Sequence, residues 1–377
     1  MRYKQISEFL QARIDANDFP SAVYLVAEKG EIICQDALGF AVVEPETIKA
    51  KLDTIYDLAS LTKPLVTGLL CAKLIESNKL ELGRTIDFYF PEFDIYVSQN
   101  NGWDTSISEL LTHISDFPAW KPFYLLCKNR SEISTEIIRM PLDWDLEQPM
   151  VTYSDLNFIF LTFLLEKIYS KSLDEIAKEE IFEPLNLQNT YFNPPKELQK
   201  QIAASEKGNE YEKKVCLEMG FEIRNPQSKF RNRIVWGEVH DGNAYFMNGV
   251  AGHAGLFSNV FDTFQIAQQF LANQTKLLKP ATCQLFRTNF TPNLNEARSI
   301  AFQLAETKDS TASVALAKDS FGHLGFTGTS LWIEPETERV FILLTNRTHA
   351  RELPFVNINS VRRKFHELAT EILNAKS

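Results

Sequence analysis

Apolar positions recur with two different periods along this chain. Residues 1–20 place their apolar side chains on one face, which predicts an amphipathic helix. In residues 22–28 and 31–40 the side chains follow a strand-like alternation, and Lys29-Gly30 between them is typical of a turn. This pattern predicts a β-hairpin. We therefore expect a helix followed by two antiparallel strands in the first part of the chain.

The middle of the chain follows a helical period. Between residues 193 and 248, however, Asn, Lys, Glu and Gly are interspersed without a period, which predicts long surface loops. The spacing elsewhere predicts helices over residues 61–78, 106–113, 155–170 and 174–181, with a helix-and-loop connection over 82–90.

Strand patterning returns at residues 330–333 and 339–345, and residues 361–375 predict a closing helix. Because strands lie near both ends and helices between them, we predict an α+β fold, with one antiparallel sheet built from both chain termini, flanking helices and an inserted helical lobe. The expected organisation is a single domain over 1–377, with an α/β lobe of approximately 1–58 and 240–377 and a mainly helical lobe of approximately 59–239.

The composition limits the kinds of partner that this chain is expected to bind. With 39 basic and 49 acidic residues the net charge is -10, which argues against nucleic acid and membrane binding and favours a small-molecule or short peptide substrate. No run of about 18 apolar residues and no signal-peptide pattern occurs, so a cytoplasmic location is expected. The five cysteines are spaced singly, which predicts reduced, buried thiols; neither a metal nor a cofactor is expected, and the oligomeric state is left open.

One short segment carries candidate nucleophilic chemistry. Ser60 and Lys63 stand three residues apart at the opening of an apolar helix, so one helical turn brings their side chains together. A lysine placed there can take or relay the serine proton. On this pattern alone, an N-capping serine and a solvated lysine are the favoured interpretation. Pro64 has no N–H, which predicts that the turn departs from a regular helix.

Two later segments change that interpretation, Tyr153-Ser154-Asp155 and the glycine-rich run over 322–328. The ordered set Ser60-x-x-Lys63, Tyr153 and His323-Leu324-Gly325 resembles the signature of class C β-lactamases, D-Ala-D-Ala peptidases and their esterase relatives. The resemblance covers nearly the whole chain and implies a β-lactamase/transpeptidase-like fold. Accessory segments that are also similar to that group are 110–115, 252–258 and 331–335.

The resemblance implies a role for each matching residue. Ser60 is the expected nucleophile, and Lys63 and Tyr153 are expected to share its proton, with either of them as the base. The backbone N–H groups of Ser60 and Phe326 are expected to form an oxyanion hole. The substrate-binding residues that the resemblance implies are Asp155, His323 and Gly325.

Asp155 and His323 depart from the usual residues of this group. Asp155 stands where asparagine is frequent, and an ionised aspartate only accepts hydrogen bonds. We expect it to pair with Lys63, keep that lysine protonated and shift the base role towards Tyr153; an N-cap role is an equally weighted alternative. His323 replaces a lysine and is mostly neutral at pH 7, so a permanent anion-binding charge is missing there.

These residues predict a serine hydrolase that acts through an acyl-enzyme on small esters, amides or β-lactam-like substrates, with weak activity on β-lactams themselves. Two alternatives stay open, a D-amino-acid peptidase or carboxypeptidase acting on muropeptides and a penicillin-binding sensor that is acylated without turnover. The sequence contains neither Gly-x-Ser-x-Gly nor His-Glu-x-x-His, which argues against α/β-hydrolases and zinc hydrolases.

Overall fold

In the computed structural model, which describes residues 4–93, 105–140, 150–221 and 230–375, an eight-stranded antiparallel sheet is built from the two ends of the chain. Its strands are β1 (Ser21–Glu28), β2 (Glu31–Val42), β3 (Ile48–Lys49), β7 (Arg298–Ser299), β8 (Phe302–Leu304), β9 (Phe321–Leu324), β10 (Ser330–Glu334) and β11 (Arg339–Thr345). Their spatial order is β3-β2-β1-β11-β10-β9-β8-β7, so β1 pairs with β11 across the chain ends. A small sheet holds β4 (Tyr56–Asp57), β6 (Leu256–Ser258) and β5 (Tyr191–Phe192), in that order.

The central strands are buried on both faces. Successive side chains of β1 point to opposite sides, so Val23 belongs to a large core under the helical part while Tyr24 belongs to a second core. Helices α1 (Lys4–Asp15) and α12 (Asn359–Asn374) cover that second core. Burial on both faces explains why β1 is almost continuously apolar.

The remaining helices come from the middle of the chain, and the helix Asp155–Tyr169 packs most of its length into the large core. The α-helices are α2 (Leu69–Glu76), α3 (Ile86–Tyr89), α4 (Ile107–Thr112), α5 (Phe123–Leu126), α6 (Glu132–Ile138), α7 (Asp155–Tyr169), α8 (Leu173–Ala177), α9 (Glu210–Glu218), α10 (Gly242–Phe246) and α11 (Val260–Ala267). Short 3-10 helices are Ala59–Leu61, Pro91–Phe93, Lys196–Gln201, Gln268–Phe270 and Thr282–Phe286, and π-helical turns are Lys63–Gly68 and Lys178–Phe182.

The predicted α+β architecture is confirmed, with differences in detail. The sequence pattern does not predict β7, β8 and β9, because strands of two to four residues are too short to show an alternating period. The stretch expected to be loops includes α9 and α10; α9 buries only Glu212 and Cys216, so its helical period is hidden. Residues 222–229 of that stretch lie outside the described residues, and the lobe boundaries stay a prediction.

The helix expected over residues 61–78 begins irregularly. A 3-10 turn and a π-helical turn precede α2, as the missing N–H of Pro64 leads one to expect. All five cysteines are buried. None of the helices in the described ranges is long and apolar enough to cross a membrane.

Candidate active site

Ser60 lies on a strained turn directly after β4. Ala59 has a φ of 48°, in the left-handed region that side-chain-bearing residues rarely adopt, at a typical cost of about 1–3 kcal/mol. Its N–H donates to Asp57 Oδ1 at 2.9 Å, and its carbonyl accepts from the Thr62 hydroxyl at 2.6 Å. These two hydrogen bonds hold the turn that presents Ser60 to a cavity.

Lys63 is fully buried, and all three hydrogens of its ammonium group have acceptors. Nζ donates to Ser60 Oγ at 3.0 Å, to Asp155 Oδ1 at 2.6 Å and to the His253 carbonyl at 3.1 Å. Burial acts to lower the pKa of Lys63, but Asp155 and Tyr153 together outweigh burial, through charge and hydrogen bonding, and place the pKa above its ordinary value. Lys63 is therefore protonated at neutral pH.

Tyr153 faces the same cavity and is held by His113. Thr152 N–H donates to the His113 carbonyl at 2.9 Å, and Ser154 N–H donates to Nδ1 of the same histidine at 3.0 Å. The rings of His113 and Tyr153 pack with centroids 4.6 Å apart. Burial raises the pKa of Tyr153, and the charge of Lys63 opposes that rise only in part. The buried hydroxyl makes no hydrogen bond of good geometry among the described residues.

Asp155 is the first residue of α7, and the N-cap of that helix is Ser154. The proposed capping role of Asp155 is therefore wrong. Its carboxylate turns to Lys63 instead, as the other sequence-based hypothesis expects.

His323 lies on β9 and carries no charge at neutral pH. Its Nδ1–H donates to the Leu324 carbonyl at 2.9 Å, which leaves Nε2 as an acceptor without a partner among the described residues. Burial, together with the charges of Lys63 and Arg298, places the pKa of His323 well below its ordinary value. The histidine thus offers the cavity a neutral hydrogen-bond acceptor.

Two threonines bind the turn over residues 325–329 to the segment that precedes Ser60. Thr327 Oγ1 donates to the Asp57 carbonyl at 2.8 Å, and Thr329 Oγ1 donates to the Leu58 carbonyl at 3.0 Å. The two walls of the site therefore keep a fixed separation.

Gly325 stands where these walls come closest. A Cβ added there would approach Thr329 Oγ1 to 2.0 Å and the Leu58 carbonyl oxygen to 2.6 Å, so only glycine fits. The next residue, Phe326, donates its backbone N–H to no acceptor in the described part of the chain. That N–H is available to a ligand.

A cavity of about 810 Å³ opens above these groups. The structure brings to its lining the predicted site residues Ser60, Tyr153, Asp155, His323, Gly325 and Phe326, while Lys63 lies behind Ser60. Residues distant in the sequence therefore meet in one place.

Three arginines, which the sequence pattern does not single out, also line the cavity: Arg298, Arg347 and Arg362. The guanidinium carbon of Arg298 lies 5.6 Å from the centroid of the Tyr153 ring, and its side chain pairs with Glu296. Arg347 and Arg362 donate to backbone carbonyls of the 325–329 turn. Position 323 provides no permanent positive charge, but these arginines provide cationic side chains elsewhere in the cavity lining.

A group of buried ionisable side chains borders the turn that carries Ser60. His253 Nε2–H donates to Asp241 Oδ1 at 2.9 Å, and the N–H of His240 donates to Asp57 Oδ2 at 2.7 Å. Burial, with the charge of Asp241, raises the pKa of Glu212 to about 7. In the described ranges no set of three His, Cys, Asp or Glu residues is arranged to hold a metal ion.

The chain is similar to known proteins along almost its whole length. Residues 6–360 match the model of the family described as Beta-lactamase. A putative D-alanyl-D-alanine carboxypeptidase from Escherichia coli (strain K12) is 30% identical over 372 residues, which cover 93% of this chain and 83% of that protein.

Solved structures with the same fold are more distant in sequence. EstCE1, a hydrolase with promiscuous acyltransferase activity, aligns with a TM-score of 0.73 at 19% identity and covers 98% of each chain. A class C beta lactamase from Rhodobacter sphaeroides aligns with a TM-score of 0.72 at 15% identity, covering 98% of this chain and 99% of that one.

Proposed function

The chain belongs to the beta-lactamase family of serine hydrolases, and from this premise we propose that it cleaves small acyl substrates through a covalent intermediate on Ser60. The observation that carries the proposal is the contact of Lys63 Nζ with Ser60 Oγ at 3.0 Å beside a cavity of about 810 Å³. Ser60 Oγ bonds to the substrate carbonyl carbon, the leaving group departs with the serine proton, and water then hydrolyses the acyl-enzyme.

Tyr153 is the group that takes the serine proton in this proposal. Asp155 keeps the pKa of Lys63 high, so the lysine is a poor base at neutral pH. A phenolate at Tyr153 gains stability from the charged Lys63, and the two groups form one coupled proton system. The reactive form is the one in which this pair has lost one proton, and activity therefore rises with pH.

The backbone N–H groups of Ser60 and Phe326 are the proposed oxyanion donors. The binding of the 325–329 turn to the Asp57–Leu58 segment supports this role, because it fixes the distance between the two donors. Preorganised donors of this kind lower the barrier when charge develops on the carbonyl oxygen, and loss of one typically costs about 3–4 kcal/mol.

Esters and short amides are the substrates that we propose for this site, with β-lactams turned over weakly. The neutral His323 supports the preference, since it provides an acceptor and no permanent charge. Apolar side chains from Trp120, Val215 and Met219 also line the cavity and suit an uncharged acyl group.

The test compares kcat/KM for p-nitrophenyl butyrate and for nitrocefin at pH 7, in wild type and in Ser60→Ala. We expect the ester to be the better substrate and both activities to depend on Ser60. Nitrocefin hydrolysis that matches or exceeds ester hydrolysis would overturn the preference. A burst of one product per enzyme without turnover would support the sensor alternative.

A D-amino-acid carboxypeptidase is the second candidate. Arg298 favours it, because its buried guanidinium faces the cavity near Tyr153 and could bind the terminal carboxylate of a peptide. The name of the Escherichia coli relative agrees with this candidate. Release of D-alanine from an N-acylated D-Ala-D-Ala peptide at a rate above that of ester hydrolysis would favour it over the esterase.

A further inference from the structure

Arg362 binds the far side of the peptide unit that supplies one proposed oxyanion donor. From α12, its Nη2 donates to the Gly325 carbonyl at 3.0 Å and to the Thr329 carbonyl at 2.9 Å. The Gly325 carbonyl and the Phe326 N–H belong to one planar trans peptide, so they point in opposite directions along the same dipole. The guanidinium and the proposed oxyanion therefore contact opposite ends of a single peptide group.

We infer that Arg362 is a positioning residue that polarises the Gly325–Phe326 peptide and strengthens its N–H as an oxyanion donor. Hydrogen bonds in series strengthen one another by about 10–30% per bond, and those with a charged partner are the stronger kind. The inference rests on the proposed function, because only a reaction through a carbonyl oxyanion uses this N–H.

Arg362 carries its positive charge in a buried environment without a carboxylate partner among the described residues. The residue is only 5% exposed. Among the described residues it forms no ion pair with a carboxylate, and its Nε has no hydrogen-bond partner. Burial lowers its pKa to about 9, so the guanidinium is still charged at neutral pH. A buried charge without a counter-charge costs free energy that a neutral hydrogen-bonding side chain would avoid. The presence of a charged side chain at this position, rather than a neutral one, therefore favours an electrostatic role.

Arg347 provides a matched control on the same turn. Its Nε and Nη2 donate to the Phe326 carbonyl at 3.1 and 2.7 Å. That carbonyl belongs to the following peptide, whose N–H is on Thr327. A neutral substitution at Arg347 thus disturbs the same turn but leaves the cation on the Gly325 carbonyl.

The test measures p-nitrophenyl butyrate hydrolysis and inhibition by phenylboronic acid in wild type, Arg362→Gln, Arg362→Lys and Arg347→Gln. The boronic acid adds to Ser60 as a tetrahedral anion and so reports on binding of the transition state. We expect Arg362→Gln to lower kcat by roughly 3- to 10-fold at nearly constant KM and to weaken boronate inhibition by the same factor. Arg362→Lys should recover most of both losses, and Arg347→Gln should weaken boronate inhibition less.

Thermal unfolding checks that each variant is folded, and Arg362→Met replaces Arg362→Gln if the latter is not. A higher KM at unchanged kcat would make Arg362 a ground-state binding residue and overturn the inference. Unchanged boronate inhibition in the neutral Arg362 variants would do the same. If wild type itself shows no Ser60-dependent ester hydrolysis, the proposed function fails first, and the inference fails with it.

Discussion

Asp155 Oδ1 lies 2.6 Å from Lys63 Nζ, closer than Ser60 Oγ, the oxygen of the proposed nucleophile, at 3.0 Å. The ammonium group therefore bridges the carboxylate and the serine. Because the carboxylate keeps a proton on Lys63, the resting site holds a charged lysine beside a neutral tyrosine. Loss of one proton from this pair is what activates the site in our account.

The first prediction concerns this pairing. Asp155→Asn removes the charge that contributes most to raising the pKa of Lys63, so this pKa falls while burial still acts to lower it. We expect the acid limb of the pH profile of kcat/KM to move to lower pH by about one unit or more. The control is Asp262→Asn, a buried carboxylate that also lies in the first turn of a helix but away from the cavity. A profile that stays in place in Asp155→Asn would refute the pairing mechanism.

The second prediction concerns His113, which holds the main chain on both sides of Tyr153. His113→Ala removes the packed ring and leaves the Ser154 N–H without its acceptor, so Tyr153 loses its fixed position. We expect kcat/KM for p-nitrophenyl butyrate to fall by roughly 10- to 100-fold.

His366 is the matched control for that variant, since it is also buried and, like His113, has an Nε2 without a hydrogen-bond partner among the described residues, but it packs against Trp332 in the second core. His366→Ala should lower the melting temperature while leaving kcat/KM of the folded enzyme unchanged. Equal losses of kcat/KM in both variants would show that His113 acts through general stability alone.

The third prediction concerns Gly325. A methyl group there meets Thr329 Oγ1 and the Leu58 carbonyl, so Gly325→Ala must push the two walls apart and misplace the Phe326 N–H. We expect a loss of kcat of roughly 100-fold, comparable with removal of an oxyanion donor. Gly83→Ala, where a Cβ meets nothing within 4 Å, should leave kcat unchanged. Near-wild-type activity of Gly325→Ala would show that the Phe326 N–H is not an oxyanion donor.

The fourth prediction concerns stability and pH. The pKa of Glu212 is raised to about 7 from an ordinary 4.5, so between these pH values the folded state binds more protons than the unfolded state. Stability therefore falls as pH rises through this window, at about 1.4 kcal/mol per unit of pKa difference.

Glu212→Gln removes that penalty. We expect its free energy of unfolding in urea to exceed that of wild type at pH 8 and to lose the advantage at pH 5. Glu210→Gln, an exposed position on the same helix, should track wild type at both pH values. A Glu212→Gln variant that gains nothing between pH 5 and pH 8 would show that this carboxyl is not strained by burial.

The fold is predictable from the sequence because its long elements have strong periods. The strand patterns of β1, β2 and β11 and the closing helix are enough to place both chain ends in one sheet. The short strands β7 to β9 escape prediction, although β9 carries His323 and β7 carries Arg298. Their pairing depends on contacts with distant strands rather than on their own few residues.

The candidate site is likewise predictable from the sequence only in part. The spacing of Ser60 and Lys63 and the order of the later segments indicate the side chains that meet in the cavity. The supporting contacts are not visible in the sequence, since His113 resembles an ordinary helix end and Arg362 an ordinary helical arginine. Both act on backbone groups far away in the chain, and only the folded structure brings those groups together.

The role of Ser60 as nucleophile is tested by intact-mass analysis of wild type and Ser60→Ala after incubation with a fluorophosphonate probe, together with p-nitrophenyl butyrate turnover. We predict a single covalent adduct and turnover in wild type, and neither in folded Ser60→Ala, because the acyl-enzyme forms at that oxygen. Labelling and turnover that persist in Ser60→Ala would contradict the account and place the nucleophile elsewhere.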